Sequence, residues 1–306
     1  MTPEEWWLNF GLGIELDLSG SFIYNGIKHL DSLDGLNNPA DIFEILYNLS
    51  VGLERLLKVA IILNEYNSST NIVDLEESLI THNTSELANR INTNNELDLS
   101  VHQKEFLSLL SKFYKSQRYG RYSITSIYNV KAEKYAFLQY IEKHLKVGIT
   151  NELVGVQNTD QIKKFIGKIV GKISRKLYSI IYNKASKLNI YTYELRGDSK
   201  AIKVFLGLNK DRLDFLDEMQ IKRELIMFLI DEKSGGAHFN MMKSFGALDL
   251  DPARLPAYIK ALLNDIHLPD VEEEVEVLYE ELSNIQERFQ KLNLIDCEYL
   301  GLEEDF

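Results

Sequence analysis

The chain has very little cysteine and no local pattern that binds a metal. Its 306 residues include one cysteine, Cys297, so neither an internal disulfide nor a zinc site of several cysteines can form. The six histidines never recur at i, i+3 or i+4, and no His-Glu-x-x-His sequence occurs. We therefore expect no metal and no other cofactor, although scattered carboxylates could hold an ion without leaving a local pattern.

Other strong enzyme signatures and membrane signals are also absent. The sequence contains neither a glycine-rich loop followed by Lys-Ser/Thr nor a Gly-x-Ser-x-Gly elbow, which disfavours the enzyme classes that carry them. No uninterrupted apolar run approaches the roughly 20 residues of a membrane span. The acidic start at Met1–Glu5 lacks the basic region of a signal peptide. We expect a cytoplasmic protein with no membrane association.

Proline is scarce, and it stands where helices can begin. The chain has five prolines, none of them between Pro39 and Pro252. Thr2-Pro3-Glu4-Glu5 offers an N-cap, a proline at the first helical position and a glutamate for a capping box, and Asn38-Pro39 and Asp251-Pro252 repeat the device. An all-α fold is predicted, with helices at about residues 3–30, 39–66, 74–80, 84–92, 100–116, 123–147, 159–189, 210–233, 252–266 and 270–292.

One segment departs from the helical pattern. Residues 190–208 alternate apolar and polar side chains on both sides of Arg196-Gly197-Asp198-Ser199, which predicts a short β-hairpin with a turn at that tetrapeptide. The charge changes from basic to acidic in the same region. We therefore predict a helical domain at residues 1–190 and an acidic helical region at 191–306.

The charge of the chain is distributed unevenly. Residues 106–193 carry sixteen Lys/Arg and four Asp/Glu, whereas the other 218 residues carry eighteen Lys/Arg and forty-two Asp/Glu. Residues 161–193 contain no acid, and their apolar residues recur three or four apart, which predicts an amphipathic basic helix. Gly167 and Gly171 inside it suggest a close helix crossing or a bend. The candidate RNA-binding residues are Lys163, Lys164, Lys168, Lys172, Arg175 and Lys176.

Two interpretations of these charges stay open. The basic helix is either a solvated face balanced by acidic neighbours or a surface that attracts phosphates. The C-terminal acids are either another solvated face or a mimic of nucleic acid that covers the basic segment. These acids are Glu272, Glu273, Glu274, Glu276, Glu280 and Glu281.

Two neighbouring patterns point to a known family. Gly52-Leu53-Glu54-Arg55-Leu56-Leu57-Lys58 lies in a predicted helix, with Glu54 and Lys58 spaced as a favourable i, i+4 pair. A second helix begins after Thr81-His82-Asn83, where Asn83 and Glu86 form a capping box. Together with the helix that ends at Arg118-Tyr119-Gly120-Arg121-Tyr122, these patterns resemble the HEPN superfamily of helical bundles over about residues 35–150.

The resemblance implies an RNA-targeting protein of a prokaryotic defence or toxin system. Many HEPN proteins are metal-independent ribonucleases that act as dimers and join an Arg and a His from each protomer. The family motif places a His four to six residues after the Arg, and no Arg in this chain has one. The substitute candidates are Arg118 and Arg121 with His82. The structural alternatives are capping of a helix end by the arginines and packing at a helix entry by the histidine.

A further candidate lies in the C-terminal region. Gly235 and Gly236 precede His238, and such a loop could turn backbone N–H groups towards an anion, or it could simply end a helix. We expect RNA as the partner, a homodimer, and a companion defence or antitoxin protein. The alternatives are a noncatalytic interaction, oligomerisation or regulatory protein, and an enzyme of another class with dispersed residues.

Overall fold

The computed structural model describes most of the chain in two units. The described residues are 1–67, 69–92, 97–122, 124, 132–146, 156–207, 212–231, 235–264 and 268–295. The first unit is Met1–Phe215 and the second is Leu216–Phe306. Residues 191–215, which lie beyond the predicted boundary at residue 190, belong to the first unit. No described helix is both long and apolar enough to cross a membrane.

The described residues of the first unit fold into helices, which confirms the all-α prediction. Two five-residue π-helical segments, Trp7–Gly11 and Phe113–Gln117, continue neighbouring α-helices. The α-helices are α1 Pro3–Trp6, α2 Leu12–Ser32, α3 Pro39–Glu65, α4 Ile72–Ser78, α5 Thr84–Asn92, α6 Val101–Lys112, α7 Ala132–Leu145, α8 Asp160–Leu188 and α9 Lys200–Leu206.

The predicted helix starts at the prolines are confirmed. Thr2 and Glu5 form a reciprocal capping box, in which Thr2 N lies 2.8 Å from Glu5 Oε2. Asn38 Oδ1 accepts from Ala40 N at 3.1 Å at the start of α3. Asp251 caps the 3-10 turn Pro252–Arg254, which precedes the helix Leu255–Asn264, in the same way. Each cap satisfies an N–H group that has no partner inside its own helix.

The long helix α3 is central to the first unit, and α2 packs closely along it. Most of its residues between Ile42 and Leu63 are buried, including many leucines and isoleucines. Gly52 permits the close approach, because a Cβ atom there would lie 2.7 Å from Ile23 Cγ1 and 3.0 Å from the carbonyl oxygen of Ser19. The Ser19 hydroxyl donates to the Gly52 carbonyl at 2.8 Å, so the crossing also contains a buried hydrogen bond.

The β-hairpin prediction for residues 190–208 is wrong. The segment forms turns up to Ser199, which caps α9, and α9 then buries Val204 and Phe205. The Thr192 hydroxyl donates to the Leu8 carbonyl in the N-terminal helices. The alternating pattern therefore reflects alternating burial against helices, without a neighbouring strand in the described part of this segment.

The two glycines of α8 accommodate a backbone segment and not another helix. A Cβ atom on Gly167 would lie 2.2 Å from the carbonyl oxygen of Leu213, and Leu213 N donates to the Gly167 carbonyl at 3.0 Å. The non-helical residues 212–215 therefore lie directly on α8.

The second unit is also helical, but none of its described side chains is fully buried. The helices are α10 Leu216–Ile230, α11 Ala237–Ser244, α12 Leu255–Asn264, α13 Pro269–Glu280 and α14 Ile285–Leu292. The predicted helix at 270–292 is divided into α13 and α14, and α11 occupies a stretch for which no helix is predicted. Lys222 on α10 donates to the Leu263 carbonyl of α12 at 2.9 Å.

Candidate functional site

A buried carboxylate on α3 organises the candidate site. Glu54 is 7% exposed, although it lies on a helix whose neighbouring residues are mostly leucine and isoleucine. Its Oε1 accepts from Lys58 Nζ at 2.7 Å, which confirms the predicted i, i+4 pair. A buried carboxylate is costly unless it is paired and hydrogen-bonded, so its retention here requires partners.

His82 is the second partner of this carboxylate. It lies in the turn before α5, where the Glu86 N–H donates to Asn83 Oδ1 at 3.4 Å, as one half of the predicted capping box requires. The other half does not form, because the Asn83 N–H donates to Thr81 Oγ1 and the Glu86 carboxylate accepts from Asn83 Nδ2. His82 Nδ1 lies 3.1 Å from both Glu54 Oε1 and Oε2. An ionised carboxylate only accepts hydrogen bonds, so Nδ1 carries the proton and donates. Nε2 is then the atom that can accept a proton, on a side chain that is 55% exposed.

Tyr114 connects His82 to Arg118. The His82 and Tyr114 rings lie 4.7 Å apart between centroids at an interplanar angle of 43°. The guanidinium carbon of Arg118 lies 3.8 Å from the Tyr114 ring centroid and 4.4 Å from that of Tyr119. Such a geometry is a cation–π contact. The structure therefore brings His82 and Arg118 to one aromatic ring.

The π-helical segment Phe113–Gln117 places Tyr114 and Arg118 in this arrangement. The Arg118 N–H donates to the Phe113 carbonyl, five residues earlier, at 3.0 Å. Phe113 is fully buried and meets Phe43 of α3 at 5.2 Å, which anchors the segment. Insertions of this kind are frequent at functional sites, because they change the direction of side chains on a helix.

Burial raises the pKa of the Tyr114 phenol, and the charge of Arg118 opposes that effect. Tyr114 therefore remains protonated at neutral pH. Its ring provides a surface that orients the histidine and the arginine.

Glu54, Lys58, His82 and Tyr114 open onto a cavity of about 560 Å³. Arg55 of α3 also lines it, and its guanidinium forms an ion pair with Glu15 of α2. The cavity volume lies within the range of small-molecule sites in proteins. The remaining lining residues are Trp7, Leu12, Glu15, Val51, Val59, Ile62, Glu76, Leu79, Ile80 and Thr81.

This arrangement can perform acid–base chemistry on a substrate that carries negative charge. Glu54 fixes the orientation of the His82 imidazole and would stabilise its protonated form. Lys58 and Arg118 supply positive charge near the same ring. Among the described residues, no group of three or more His, Cys, Asp or Glu side chains is arranged to hold a metal ion.

No described contact joins the other two catalytic candidates, Arg121 and His238, to His82 or Arg118. The backbone of Arg121 lies in a 3-10 turn at Gly120–Tyr122, and its side chain is outside the described part of the structure. His238 belongs to the second unit, at the start of α11, and its Nε2 lies 3.0 Å from the Ile295 carbonyl oxygen. A catalytic role for either residue stays a prediction.

The six candidate RNA-binding residues of α8 divide into two groups. Lys163 donates to the Asp31 carbonyl at 2.5 Å, Arg175 to the Gly171 carbonyl at 3.1 Å, and Lys176 contacts Asp98. In contrast, Lys164, Lys168 and Lys172 form one stripe at intervals of four residues, with Lys164 and Lys168 exposed and Lys172 partly exposed. Within the described chain, this stripe makes no hydrogen bond or ion pair.

The acidic C-terminal region contains at least one structural carboxylate. Glu274 accepts from the Tyr258 hydroxyl at 2.7 Å and from Arg254 Nη1 at 2.9 Å. The Tyr258 hydrogen bond, followed by that from the Asp251 N–H, lowers the pKa of Glu274. Glu274 thus holds the second unit together and is already engaged within it.

Sequence reasoning missed the role of Glu54 as the partner that orients His82, and it missed Tyr114 altogether. The local signal was the polar residue in an otherwise apolar helical stretch. Comparisons of the chain with protein-family models, with curated proteins and with solved structures found no match.

Proposed function

We propose that this protein binds RNA and cleaves it without a metal ion. The observation that carries the proposal is the pairing of His82 with the buried Glu54 carboxylate, on a tyrosine ring that also carries Arg118. The HEPN resemblance adds the setting, a prokaryotic defence or toxin system in the cytoplasm, with a companion defence or antitoxin protein as a partner.

In the proposed reaction, His82 Nε2 accepts the proton of a ribose 2′-hydroxyl. The 2′-oxygen then attacks the adjacent phosphorus, and the bond from phosphorus to the 5′-oxygen breaks. That oxygen leaves with a proton from water, so the products are a 2′,3′-cyclic phosphate and a 5′-hydroxyl. Glu54 stabilises the resulting imidazolium, and Arg118 and Lys58 stabilise the negative charge on the phosphoryl oxygens.

The lysine stripe of α8 supports RNA as the substrate. Lys164, Lys168 and Lys172 present three charges along one helix face, and they make no hydrogen bond or ion pair within the described chain. Clustered cations attract a polyphosphate even when the protein as a whole is acidic, and the binding weakens as salt rises.

The test is to incubate purified protein with transfer RNA and longer RNA in EDTA and to examine the products on a denaturing gel. We expect wild-type cleavage to be lost in His82→Ala and in Arg118→Ala, with folding retained by circular dichroism. Arg223→Ala, an exposed arginine in α10, is the matched control and should cleave like wild type. Cleavage that survives in His82→Ala, or that needs an added divalent ion, would contradict the proposal.

The second candidate function is noncatalytic self-association, and α10 favours it. Seven large apolar side chains of this helix are about half exposed or more: Leu216, Ile221, Leu225, Met227, Phe228, Leu229 and Ile230. They lie around most of the helix circumference, and exposed apolar surface on this scale marks an interaction site in soluble proteins.

A second copy of the chain is the occupant that we propose for α10. Ile221, Leu225 and Phe228 recur at four and three residues, the spacing of a helix–helix seam. Glu224 flanks this seam, whereas Arg223 lies on the opposite side of the helix, as its spacing from Ile221 and Leu225 shows. This surface would also form the homodimer of a ribonuclease, so dimerisation alone does not separate the two functions.

Size-exclusion chromatography with light scattering tests this surface. We expect a dimer for the wild type and a monomer for Leu225→Glu/Phe228→Glu, whereas Arg223→Glu on the opposite side of the helix should stay dimeric. A wild-type monomer at micromolar concentration would contradict self-association through α10. A dimer that never cleaves RNA would favour the noncatalytic function.

A further inference from the structure

The cavity beside the His82–Glu54 pair extends well beyond the residues that the proposed chemistry uses. Both π-helical segments contribute an aromatic residue to its wall, Trp7 from Trp7–Gly11 and Tyr114 from Phe113–Gln117. The two segments are more than a hundred residues apart in the chain. Their shared position at one cavity suggests that both helix insertions serve the same ligand.

The cavity walls are chemically suited to a flat, partly polar group. Trp7 and Tyr114 add two aromatic side chains to a lining that has six aliphatic residues. These six are Leu12, Val51, Val59, Ile62, Leu79 and Ile80. Trp7 is partly buried against the apolar core, and within the described part of the chain no other aromatic ring packs against it. Tyr114 already contacts Tyr47 and Arg118, so Trp7 is the ring on which a base can stack. Base stacking on aromatic side chains stabilises binding by about 1–3 kcal/mol per base.

The polar lining residues indicate where such a group would be recognised. Glu76 supplies carboxylate oxygens, which accept hydrogen bonds but cannot donate them, and Glu15 adds a second carboxylate that is paired with Arg55. Arg55 and Lys58 line the same cavity in ion pairs with Glu15 and Glu54, and a bound phosphate would share these two cations with the carboxylates. A ligand with an aromatic ring, amino hydrogens and a phosphate matches all three features.

We infer that this cavity binds a nucleobase of the RNA, the one on the 5′ side of the bond that is cleaved. This inference rests on the proposed function, since the nucleotide that fills the cavity is the one whose 2′-hydroxyl would meet His82. His82 and Tyr114 line the cavity themselves, so ribose and base lie side by side. Bases with an exocyclic amine should bind better than uracil, because carboxylates accept from amines and repel carbonyl oxygens.

The two tryptophans of the chain make this inference testable without any cleavage. Trp6 and Trp7 are the only ones, so Trp6→Phe leaves Trp7 as the sole fluorophore and Trp7→Phe leaves Trp6. The probes are the 3′-monophosphates of guanosine, adenosine, cytidine and uridine, with ribose 5-phosphate and inorganic phosphate as controls for phosphate binding alone.

We expect saturable quenching of the Trp7 emission by the amine-bearing nucleotides, with at least threefold weaker binding of uridine 3′-monophosphate. The Trp6 reporter should show no saturable change. Val51→Phe, which fills the cavity from a partly exposed position, should abolish the quenching, whereas Val73→Phe on the exposed side of α4 should not.

Three results would overturn the inference: no saturable quenching at millimolar nucleotide, equal quenching by ribose 5-phosphate, or uridine binding as tight as guanosine binding. The two proposals fail separately. Quenching without RNA cleavage would contradict the proposed function but support the base pocket. Cleavage of RNA without quenching would remove the base pocket alone.

Discussion

Nδ1 of His82 lies 3.1 Å from both carboxylate oxygens of Glu54, a residue that is 7% exposed. This contact joins the turn before α5 to the middle of α3, across 28 residues of sequence. It fixes the tautomer of the imidazole and leaves Nε2 free on an exposed side chain, which is the state a general base requires.

Glu54→Gln should reduce RNA cleavage by about 10²–10⁴-fold, because the amide removes the negative charge that stabilises the imidazolium. Initial rates with a fluorogenic RNA in EDTA measure the effect. The matched control is Glu86→Gln, which keeps an oxygen acceptor at the exposed cap of α5. Equal rates for Glu54→Gln and wild type would show that His82 does not depend on this carboxylate.

Arg118→Lys should retain part of the activity that Arg118→Ala loses. The lysine keeps the charge, but it cannot stack its planar head on Tyr114 as the guanidinium does. We expect each variant to lose about 0.5–2 kcal/mol of unfolding free energy with the cation–π contact. Urea unfolding followed by circular dichroism measures the stability, and cleavage rates measure the activity. Identical rates for lysine and alanine would mean that the charge of this side chain is not used.

Gly52→Ala should destabilise the first unit by about 1–3 kcal/mol, because the added methyl group would lie 2.7 Å from Ile23 Cγ1 at the crossing of α2 and α3. Gly13→Ala is the matched control, since its methyl group would meet only the Thr192 carbonyl oxygen at 3.9 Å. It should be neutral or stabilising by up to about 1 kcal/mol. Chemical denaturation compares the two, and a destabilised Gly13→Ala with an unchanged Gly52→Ala would contradict this packing.

Replacing Lys164, Lys168 and Lys172 together with glutamine should weaken RNA binding uniformly across sequences. The slope of the logarithm of affinity against the logarithm of salt concentration should fall by about 0.7 for each lysine that contacts a single strand. Glutamine at Lys243, Lys260 and Lys291 changes the net charge by the same amount in the second unit and should leave the slope unchanged. Fluorescence anisotropy at several salt concentrations measures both slopes. Equal slopes for the two triple variants would show that this lysine stripe does not contact the RNA.

The pH dependence of stability should contain a contribution from Glu105. Lys143 and then His144 hydrogen-bond this carboxylate, and they lower its pKa below the usual 4.5. A lowered folded-state pKa means that the stabilisation is present above pH 4.5 and is lost as the pH falls from there through the folded-state pKa. Glu105→Gln should therefore reduce the acid sensitivity of thermal unfolding. A wild-type acid profile in that variant would show that the contacts do not stabilise the fold.

The helices could be predicted from sequence because their determinants are local. The capping side chains of Thr2, Asn38 and Asn83 contact residues no more than three positions away in the chain, and the Glu54–Lys58 pair spans one helical turn. The His82–Glu54 and His82–Tyr114 contacts join distant segments, so no spacing rule reports them.

The sequence predictions that were wrong also depended on contacts between distant segments. Thr192 is buried between the exposed Tyr191 and the partly exposed Tyr193, so the segment alternates like a strand, but its partner is the Leu8 carbonyl in a helix. The sequence pattern predicted no π-helical segment at Phe113–Gln117, although this segment determines the positions of Tyr114 and Arg118. The fold class was thus accessible from local pattern, whereas the assembly of the site depended on tertiary packing.

The most direct test of the central claim is chemical rescue of His82→Gly in EDTA. Removing the imidazole should abolish RNA cleavage, and free imidazole added to the reaction should restore part of it, with 2′,3′-cyclic phosphate ends on the products. His238→Gly, treated in the same way, shows whether the second histidine candidate takes part. Cleavage by His82→Gly at the wild-type rate without imidazole, or the lack of any cleavage by the wild type, would contradict the account.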